Sequence, residues 1–255
     1  MITLQKFIIN SKLDHTTGIK DDDSKLIMLW SPKSGCTISI AMMLNYMKID
    51  HDLLKLRYNI HGYIHSTFFK KYGYVNIDED LLSKKYFVFK VIRNPYDRAV
   101  SSYLYTLRVC SKDHLKKLSF EDFLKNIKFN NGLFIDNNCI NYIISYHICP
   151  QYIKNEENYI NKYVHLETME KDIDEINKLC NINLNTNIDC GFMKHHTQHS
   201  KIPDNSNIIY LGNISFNELP YIPSYYKYFY NDITKQLVDE IYPDDITNYN
   251  YKFYD

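Results

Sequence analysis

The fold of this protein is decided by residues 26–37, which read LIMLWSPKSGCT. The first five residues are a continuous apolar run bounded by a turn sequence, a pattern typical of a buried strand. Apolar residues then recur at helical spacing from Cys36 to Met47. The stretch therefore predicts a strand, a tight loop and a helix in direct succession.

The predicted loop has the chemistry of an anion site. Backbone N–H groups at the start of a helix point outward, and the helix dipole adds partial positive charge. Lys33 adds a full charge, Thr37 adds a hydroxyl, and Gly35 allows a close approach of the backbone. The Lys precedes the Gly, so this is not the Walker A pattern of nucleotide-binding loops. The alternative is a solvated lysine in an ordinary turn.

A second predicted strand, residues 86–92, leads into a second basic motif. Arg93 follows its carboxyl end, where open α/β sheets bind ligands, and Ser101 lies two helical turns later. An Arg and a Ser together can hold a phosphate by charge and hydrogen bonds. The alternative is that Arg93, Asp97 and Arg98 form local surface ion pairs.

Strands and helices alternate along the chain, and this order favours a parallel sheet. We predict an α/β, P-loop-like three-layer fold, in which a central, mainly parallel sheet is flanked by helices. One domain over residues 1–255 is the simplest count, and polar residues 1–24 are expected to be a loose lead-in. The further predicted elements are a strand at Tyr163–Leu166 and helices at Pro95–Arg108, from Ser119, at Met169–Cys180 and at Ile233–Tyr242.

Composition limits the possible partners and locations. The formal net charge is zero, so nothing global favours nucleic acid or an anionic membrane. The six cysteines form no CxxC pair, and the apolar runs are too short to span a bilayer. The N-terminus has no signal-peptide pattern, so we expect a cytoplasmic protein without a membrane span.

Taken together, the two basic motifs resemble those of the sulfotransferases that use 3′-phosphoadenosine 5′-phosphosulfate (PAPS). Residues 32–37, PKSGCT, resemble the 5′-phosphosulfate loop of these enzymes, and residues 93–103, RNPYDRAVSSY, resemble their 3′-phosphate motif. The likeness is closest to the carbohydrate sulfotransferases, the group with the heparan sulfate 2-O- and chondroitin 4-O-enzymes. Three further stretches resemble motifs of that group. Residues 147–151 resemble its H-x-x-P-Q segment, residues 163–172 resemble its Y-x-x-x-x-E-T-L-x-x-D stretch, and residues 238–254 resemble its C-terminal I-Y-x-x-D motif.

The resemblance implies in-line transfer of a sulfuryl group from PAPS to a hydroxyl or amine acceptor, with 3′-phosphoadenosine 5′-phosphate (PAP) as product and no metal. The acceptor would be a glycan or a small hydroxyl compound. Lys33 would stabilise the leaving phosphate oxygen, and Arg93 and Ser101 would bind the 3′-phosphate. The backbone of Ser34, Gly35, Cys36 and Thr37 would cradle the 5′-phosphate.

The catalytic base is less well defined by the resemblance. Residues 59–65, NIHGYIH, resemble the Y-H-G-H segment of heparan sulfate 2-O-sulfotransferases, where the second His is the base. Tyr63 occupies that position here, His61 matches the first His, and His65 is displaced by two residues. We expect His61 to be the base, with His65 as second choice. Two ordinary loop histidines are the alternative.

A cluster at residues 194–201, KHHTQHSK, is the last basic candidate. Together with Cys190 its spacing is incomplete for structural zinc. It resembles a loop of the same carbohydrate group, which would close over nucleotide or acceptor with Lys201 as a phosphate contact. An ordinary exposed loop is the alternative.

Two other functions stay open on sequence. One is a P-loop-like small-molecule kinase, against which stand the position of Lys33 and the lack of a clear Mg²⁺-binding Asp after a strand. The other is a non-catalytic descendant that binds nucleotide or glycan, which the Tyr63 departure allows. Magnesium-dependent ATP turnover would indicate the first, and PAP binding without transfer would indicate the second.

Overall fold

A computed structural model describes residues 15–49, 60–188, 210–223 and 225–254. These residues form two compact units, each described by itself. The described residues of Ile9–Arg93 and Ile153–Lys194 make the sheet unit, and those of Asn94–Tyr152 and His195–Asp255 make the helical unit. That the chain is a single folding domain stays a prediction of the sequence.

The elements that the sequence predicts are all present, with bounds that differ by at most one residue, and further short strands and helices accompany them. The strands are β1 (His15–Thr16), β2 (Gly18–Asp21), β3 (Leu26–Trp30), β4 (Val75–Asn76), β5 (Phe87–Ile92), β6 (Ile135–Asp136), β7 (Cys139–Ile140) and β8 (Lys162–His165). The α-helices are α1 (Cys36–Tyr46), α2 (Ile60–Tyr63), α3 (Phe69–Tyr72), α4 (Pro95–Val109), α5 (Phe120–Phe129), α6 (Tyr142–Ile148), α7 (Met169–Cys180), α8 (Asp232–Ile241) and α9 (Pro243–Asn248). Two π-helices, Ile64–Phe68 and Ile77–Leu81, join neighbouring elements.

A four-stranded sheet forms the centre of the sheet unit, in the order β2-β3-β5-β8. Strands β3, β5 and β8 run parallel, and β2 pairs antiparallel with β3 at the edge. Trp30 lies opposite Val91, and Ile92 lies opposite His165. The carboxyl ends of three parallel strands therefore meet at one edge of the sheet, where α/β proteins bind their ligands.

Alternation along β3 explains why the sheet is covered on both faces. Met28 and Trp30 belong to the core shared with α1 and α7, whereas Ile27 and Leu29 pack on the opposite face against Leu81. Successive residues of a strand point to opposite faces, so a wholly apolar strand needs cover on both sides. The predicted α/β class with a mainly parallel sheet flanked by helices is confirmed.

The lead-in expected over residues 1–24 differs from the structure in its described part. Strand β2 is paired along its length with β3, and Ile19 is fully buried. A Cβ on Gly18 would lie 2.5 Å from Leu29 Cδ2, so this strand packs closely on its neighbour. Only one large apolar residue marks β2, and a polar edge strand of this kind leaves too short a pattern for the sequence to show.

Helices α4, α5 and α8 build the core of the helical unit around aromatic side chains. Asn94 caps α4 by accepting from Tyr96 N at 3.0 Å, and Pro95 occupies the first turn. Ser119 caps α5 in the same way, accepting from Asp122 N at 3.1 Å. These caps explain why the two helices begin where the sequence predicts.

Arg98 is fully buried in the helical unit, which excludes the surface ion pair considered for it. Its guanidinium donates to Cys149 O, and Nη1 lies 4.0 Å from Asp245 Oδ2. The same carboxylate accepts from the backbone N–H groups of Gln151 at 2.9 Å and Tyr152 at 2.7 Å. The H-x-x-P-Q and I-Y-x-x-D stretches are thus joined by a buried polar network.

Among the described helices, none has both the length and the apolar character needed to cross a membrane.

Candidate active site

The loop between β3 and α1 is closed by Ser34. Its hydroxyl donates to Ser31 O at 2.6 Å and accepts from Ser31 N at 3.1 Å, and its own N–H donates to Ser31 O at 3.2 Å. Ser34 is completely buried. Its polar groups therefore fix the shape of the loop in this structure.

Two residues of the loop adopt left-handed backbone conformations, Lys33 with φ 66° and Gly35 with φ 84°. A left-handed residue with a side chain costs about 1–2 kcal/mol, and such strain collects at functional sites. Gly35 is required on two counts, because a Cβ there would also lie 2.5 Å from Leu166 Cδ1. The loop is consequently held tight against the chain that follows β8.

The Cys36 side chain lies beside backbone N–H groups of Lys33, Cys36 and Thr37. Burial raises the pKa of the Cys36 thiol, although the charge of Lys33 and N–H groups of Lys33, Cys36 and Thr37 favour the thiolate. The thiol therefore stays neutral at physiological pH. Gly35 supplies no side-chain cap, and the first turn of α1 has no acidic residue, so the positive helix end is not neutralised there.

Arg93 reaches the same loop from the neighbouring strand. It follows the end of β5, and its Nη1 donates to Lys33 O at 3.2 Å. Both residues are partly buried. Parallel pairing of β3 with β5 thus brings two cationic side chains of the predicted site to one edge of the sheet.

His61 lies at the mouth of the loop. Its Nε2 is 3.2 Å from Thr37 Oγ1 and 4.0 Å from Cys36 Sγ. Partial loss of water around the ring, followed by the charge of Lys33, lowers the pKa of His61 below its ordinary value. The imidazole is accordingly neutral near pH 7, the state in which it can accept a proton.

His65 and Tyr63 occupy different positions from His61. His65 lies one helical turn further on, with its ring 5.7 Å from that of Phe69, and its pKa is lowered by desolvation and then by His61. Tyr63 is 9% exposed and belongs to the hydrophobic core. Residues two apart on a helix point in different directions, so when His61 faces the loop, Tyr63 cannot contact it as well.

The segment after β8 completes this edge of the sheet. Asp172 Oδ2 accepts from His165 N at 2.8 Å, from His165 Nδ1 at 3.2 Å and from Thr168 Oγ1 at 3.3 Å. These bonds hold the short turn that presents Leu166 to Gly35. The Y-x-x-x-x-E-T-L-x-x-D likeness is therefore explained by a structural turn.

An open groove of about 790 Å³ adjoins the loop between α1 and α7. Ile38 and Leu166 supply apolar surface, and the charged lining is mainly acidic, with Glu167, Glu170, Asp174 and Glu175 beside Lys171 and Lys178. Neither Ile38 nor Leu166 is among the site residues that the sequence predicts. Leu166 directly follows the third parallel strand, so the rule that singled out Arg93 would also have found it.

The remaining predicted residues lie elsewhere. Ser101 is in α4 of the helical unit and is 5% exposed. Lys201, the basic cluster around it and Cys190 lie outside the described residues. Within the described ranges, no group of three or more His, Cys, Asp or Glu side chains is placed to hold a metal ion.

The family model described as "Sulfotransferase family" matches residues 17–252. Comparisons with curated proteins and with solved structures gave no significant match.

Proposed function

Because the chain belongs to the sulfotransferase family, we propose that it transfers a sulfuryl group from PAPS to a hydroxyl or amine of a carbohydrate acceptor. The observation that carries the proposal is the convergence of Lys33, Arg93 and His61 on one loop. That arrangement provides two cations for phosphate oxygens and a neutral base beside them.

The donor would bind with its 5′-phosphosulfate against the loop. Backbone N–H groups at the start of α1 and the Lys33 ammonium would hold the phosphate oxygens. Arg93, and Ser101 by the motif resemblance, would hold the 3′-phosphate. A requirement for phosphate at both ends of the nucleoside separates PAPS from ATP.

The reaction would be an in-line substitution at sulfur. The acceptor oxygen forms a bond to sulfur while the bond from sulfur to the 5′-phosphate oxygen breaks, and PAP leaves with both electrons of that bond. Lys33 would stabilise the negative charge that develops on the leaving oxygen. The proton of the acceptor hydroxyl would pass to His61, which the lowered pKa keeps neutral.

The contact of His61 with Thr37 supports it as base ahead of His65. The hydroxyl can orient the imidazole through Nε2 at the point where sulfur would be presented. His65 is one turn further from the loop and packs on Phe69. An acceptor base must lie within hydrogen-bond reach of the proton it removes, so position favours His61.

Ligand-induced thermal stabilisation and transfer of labelled sulfuryl from PAPS test the proposal together. PAP at a hundredfold excess over its Kd would stabilise the native protein by about 2.7 kcal/mol, whereas AMP would stabilise it less. Lys33→Ala should abolish transfer, and Lys85→Ala, an exposed lysine of the same unit, should not. Full transfer by Lys33→Ala would refute the role of Lys33.

One observation bears on the non-catalytic alternative. Tyr63, at the position where related enzymes of the heparan sulfate group have their base, is a core residue. PAP binding with no transfer to any carbohydrate, peptide or phenol would favour that alternative. Magnesium-dependent turnover of ATP would favour a kinase.

A further inference from the structure

The segment that follows α9 turns back sharply at Asn250. This residue is left-handed, with φ 55°, and its N–H donates to Thr247 O at 3.4 Å. Tyr251 N donates to Ile246 O at 3.0 Å, which completes a Schellman motif at the end of the helix. Asparagine is one of the few residues with a side chain that adopts this conformation readily. The sequence at the end of α9 therefore sets the direction of the residues that follow.

Residues 252–254, which we call the clasp, pack on the first turn of α4 within the helical unit. Lys252 O accepts a hydrogen bond from Asn94 Nδ2 at 3.2 Å. The Phe253 ring packs edge-on against the Tyr96 ring, with 5.0 Å between their centres. Because Asn94 also caps α4 through Oδ1, one side chain joins the clasp to the start of the helix.

The last contact of the clasp is made by Tyr254, whose hydroxyl donates to the Asp97 carboxylate. Both residues are partly buried. The Tyr254 ring lies 6.1 Å from that of Tyr230, and the Tyr230 hydroxyl donates to Tyr96 O at 2.8 Å. The Tyr254 hydroxyl is thus held in place by rings that are themselves bonded to the backbone of α4.

Asp97 occupies a sensitive position on α4, because Ser101 lies four residues later on the same face of the helix. At a rise of 1.5 Å per residue, the two positions are about 6 Å apart along the axis. Asp97 is also the only acidic residue between positions 93 and 101. A phosphate bound at Ser101 would therefore meet a carboxylate one helical turn away, and like charges at this range repel each other.

We propose that the clasp sets the preference for nucleotides that carry a 3′-phosphate, with Tyr254 as the positioning residue that holds the Asp97 carboxylate away from Ser101. The inference rests on the proposed function, in which Ser101 binds the 3′-phosphate, and it adds a determinant of specificity to that site. The Tyr254 hydroxyl fixes the direction of the carboxylate and offsets part of its charge. Without that hydroxyl the carboxylate can turn along the helix face toward Ser101, where it repels a phosphate with almost two negative charges.

Calorimetric titration with PAP and with AMP tests the inference, because AMP lacks only the 3′-phosphate. Tyr254→Phe should weaken PAP binding about tenfold and leave AMP binding within about twofold of the wild type. A clasp that merely stabilises α4 would instead weaken both nucleotides equally. The ratio of the two dissociation constants therefore separates positioning from general stability.

Removal of the Asp97 charge provides a rescue. Asp97→Asn should keep the PAP affinity within about twofold of the wild type, and Tyr254→Phe/Asp97→Asn should match Asp97→Asn, because no carboxylate then remains to be held. Tyr225→Phe is the matched control. It removes a hydroxyl from a tyrosine whose ring lies 5.3 Å from that of Tyr254, and it should bind both nucleotides like the wild type.

Three results would overturn the inference: a preference for PAP that survives in Tyr254→Phe, equal weakening of PAP and AMP in that variant, or a loss of PAP affinity that Asp97→Asn does not restore. Failure of the proposed function looks different. A wild type that binds AMP as tightly as PAP has no site for the 3′-phosphate, and the proposed donor falls together with the inference. A wild type that prefers PAP, with variants that keep the preference, leaves the proposed function standing and removes only the role of the clasp.

Discussion

Replacing Gly35 with Ala tests the site at the point where loop shape and tertiary packing meet. The residue has φ 84°, and a new Cβ would lie 2.5 Å from Leu166 Cδ1. The left-handed backbone costs about 1–2 kcal/mol for a residue with a side chain. Overpacking costs about 1–3 kcal/mol, and the low end applies because the end of a leucine side chain can turn aside. We expect the free energy of unfolding to fall by about 2–3 kcal/mol.

Two companion variants separate these contributions. Gly73→Ala places nothing within 4 Å of the new Cβ, so it reports a positive-φ backbone cost without a clash. Because ψ is 172° at Gly73 and 24° at Gly35, that cost is specific to Gly73 and is not subtracted from the Gly35→Ala result. Gly35→Ala/Leu166→Ala removes the clash and keeps the backbone strain. In the Leu166→Ala background, the Gly35→Ala change should therefore cost about 1 kcal/mol less than in the wild type.

Urea unfolding and PAP titration measure the two consequences of Gly35→Ala. The altered loop should bind PAP at least about tenfold more weakly, because a changed backbone at Gly35, the residue before α1, redirects the N–H groups at the start of that helix. Gly73→Ala should leave PAP affinity unchanged. The reasoning is refuted if Gly35→Ala unfolds and binds PAP like the wild type, or if Leu166→Ala gives no relief.

The other predictions concern the base and two buried carboxylates. The acid limb of the pH–rate profile should have its midpoint below pH 6.5, because the base must be neutral and the pKa of His61 is lowered from that value. His61→Ala should lower kcat about 10²–10⁴-fold. An unchanged pH–rate profile in that variant would exclude His61 as the base. Asp172→Asn should lower the free energy of unfolding, measured in urea, by about 1–3 kcal/mol, and it should weaken PAP binding because the turn at Leu166 loosens. The control Asp174→Asn, at an exposed position, should change the free energy of unfolding by less than about 0.5 kcal/mol. Asp245→Ala leaves the buried Arg98 without its carboxylate partner and should lower the free energy of unfolding by about 3–5 kcal/mol. The control is Asp244→Ala, at an exposed position. Equal stability of the two variants would contradict the buried network.

Local patterns in the sequence account for β3, β5, β8, α1 and α7 of the sheet unit and for the loop. Leu26–Trp30 and Met169–Cys180 have in the structure the bounds that the sequence predicts. A strand that is buried on both faces appears in the sequence as a continuous apolar run. A helix with one apolar face appears as apolar residues at helical spacing. The turn at Gly35 is equally local, because a left-handed residue favours glycine wherever it occurs.

The sequence places Arg93 just after the carboxyl end of a strand, where open α/β sheets bind ligands. In the structure its Nη1 donates to Lys33 O at 3.2 Å, because β3 and β5 are neighbours. The phosphate roles of Arg93 and Ser101 stay predictions, and Lys201 lies outside the described residues.

Tertiary contacts determine that His61 faces the loop and that Leu166 packs against Gly35. His61 and Tyr63 are two residues apart, and the orientation of α2 against the core places His61 next to Thr37 and buries Tyr63. Leu166 reaches Gly35 from more than a hundred residues away in the chain, and β2 becomes a sheet strand only because β3 is beside it. Such contacts join residues that are distant in sequence, so no local periodicity reveals them. The strand, loop and helix of residues 26–46, by contrast, are encoded in the order of neighbouring residues.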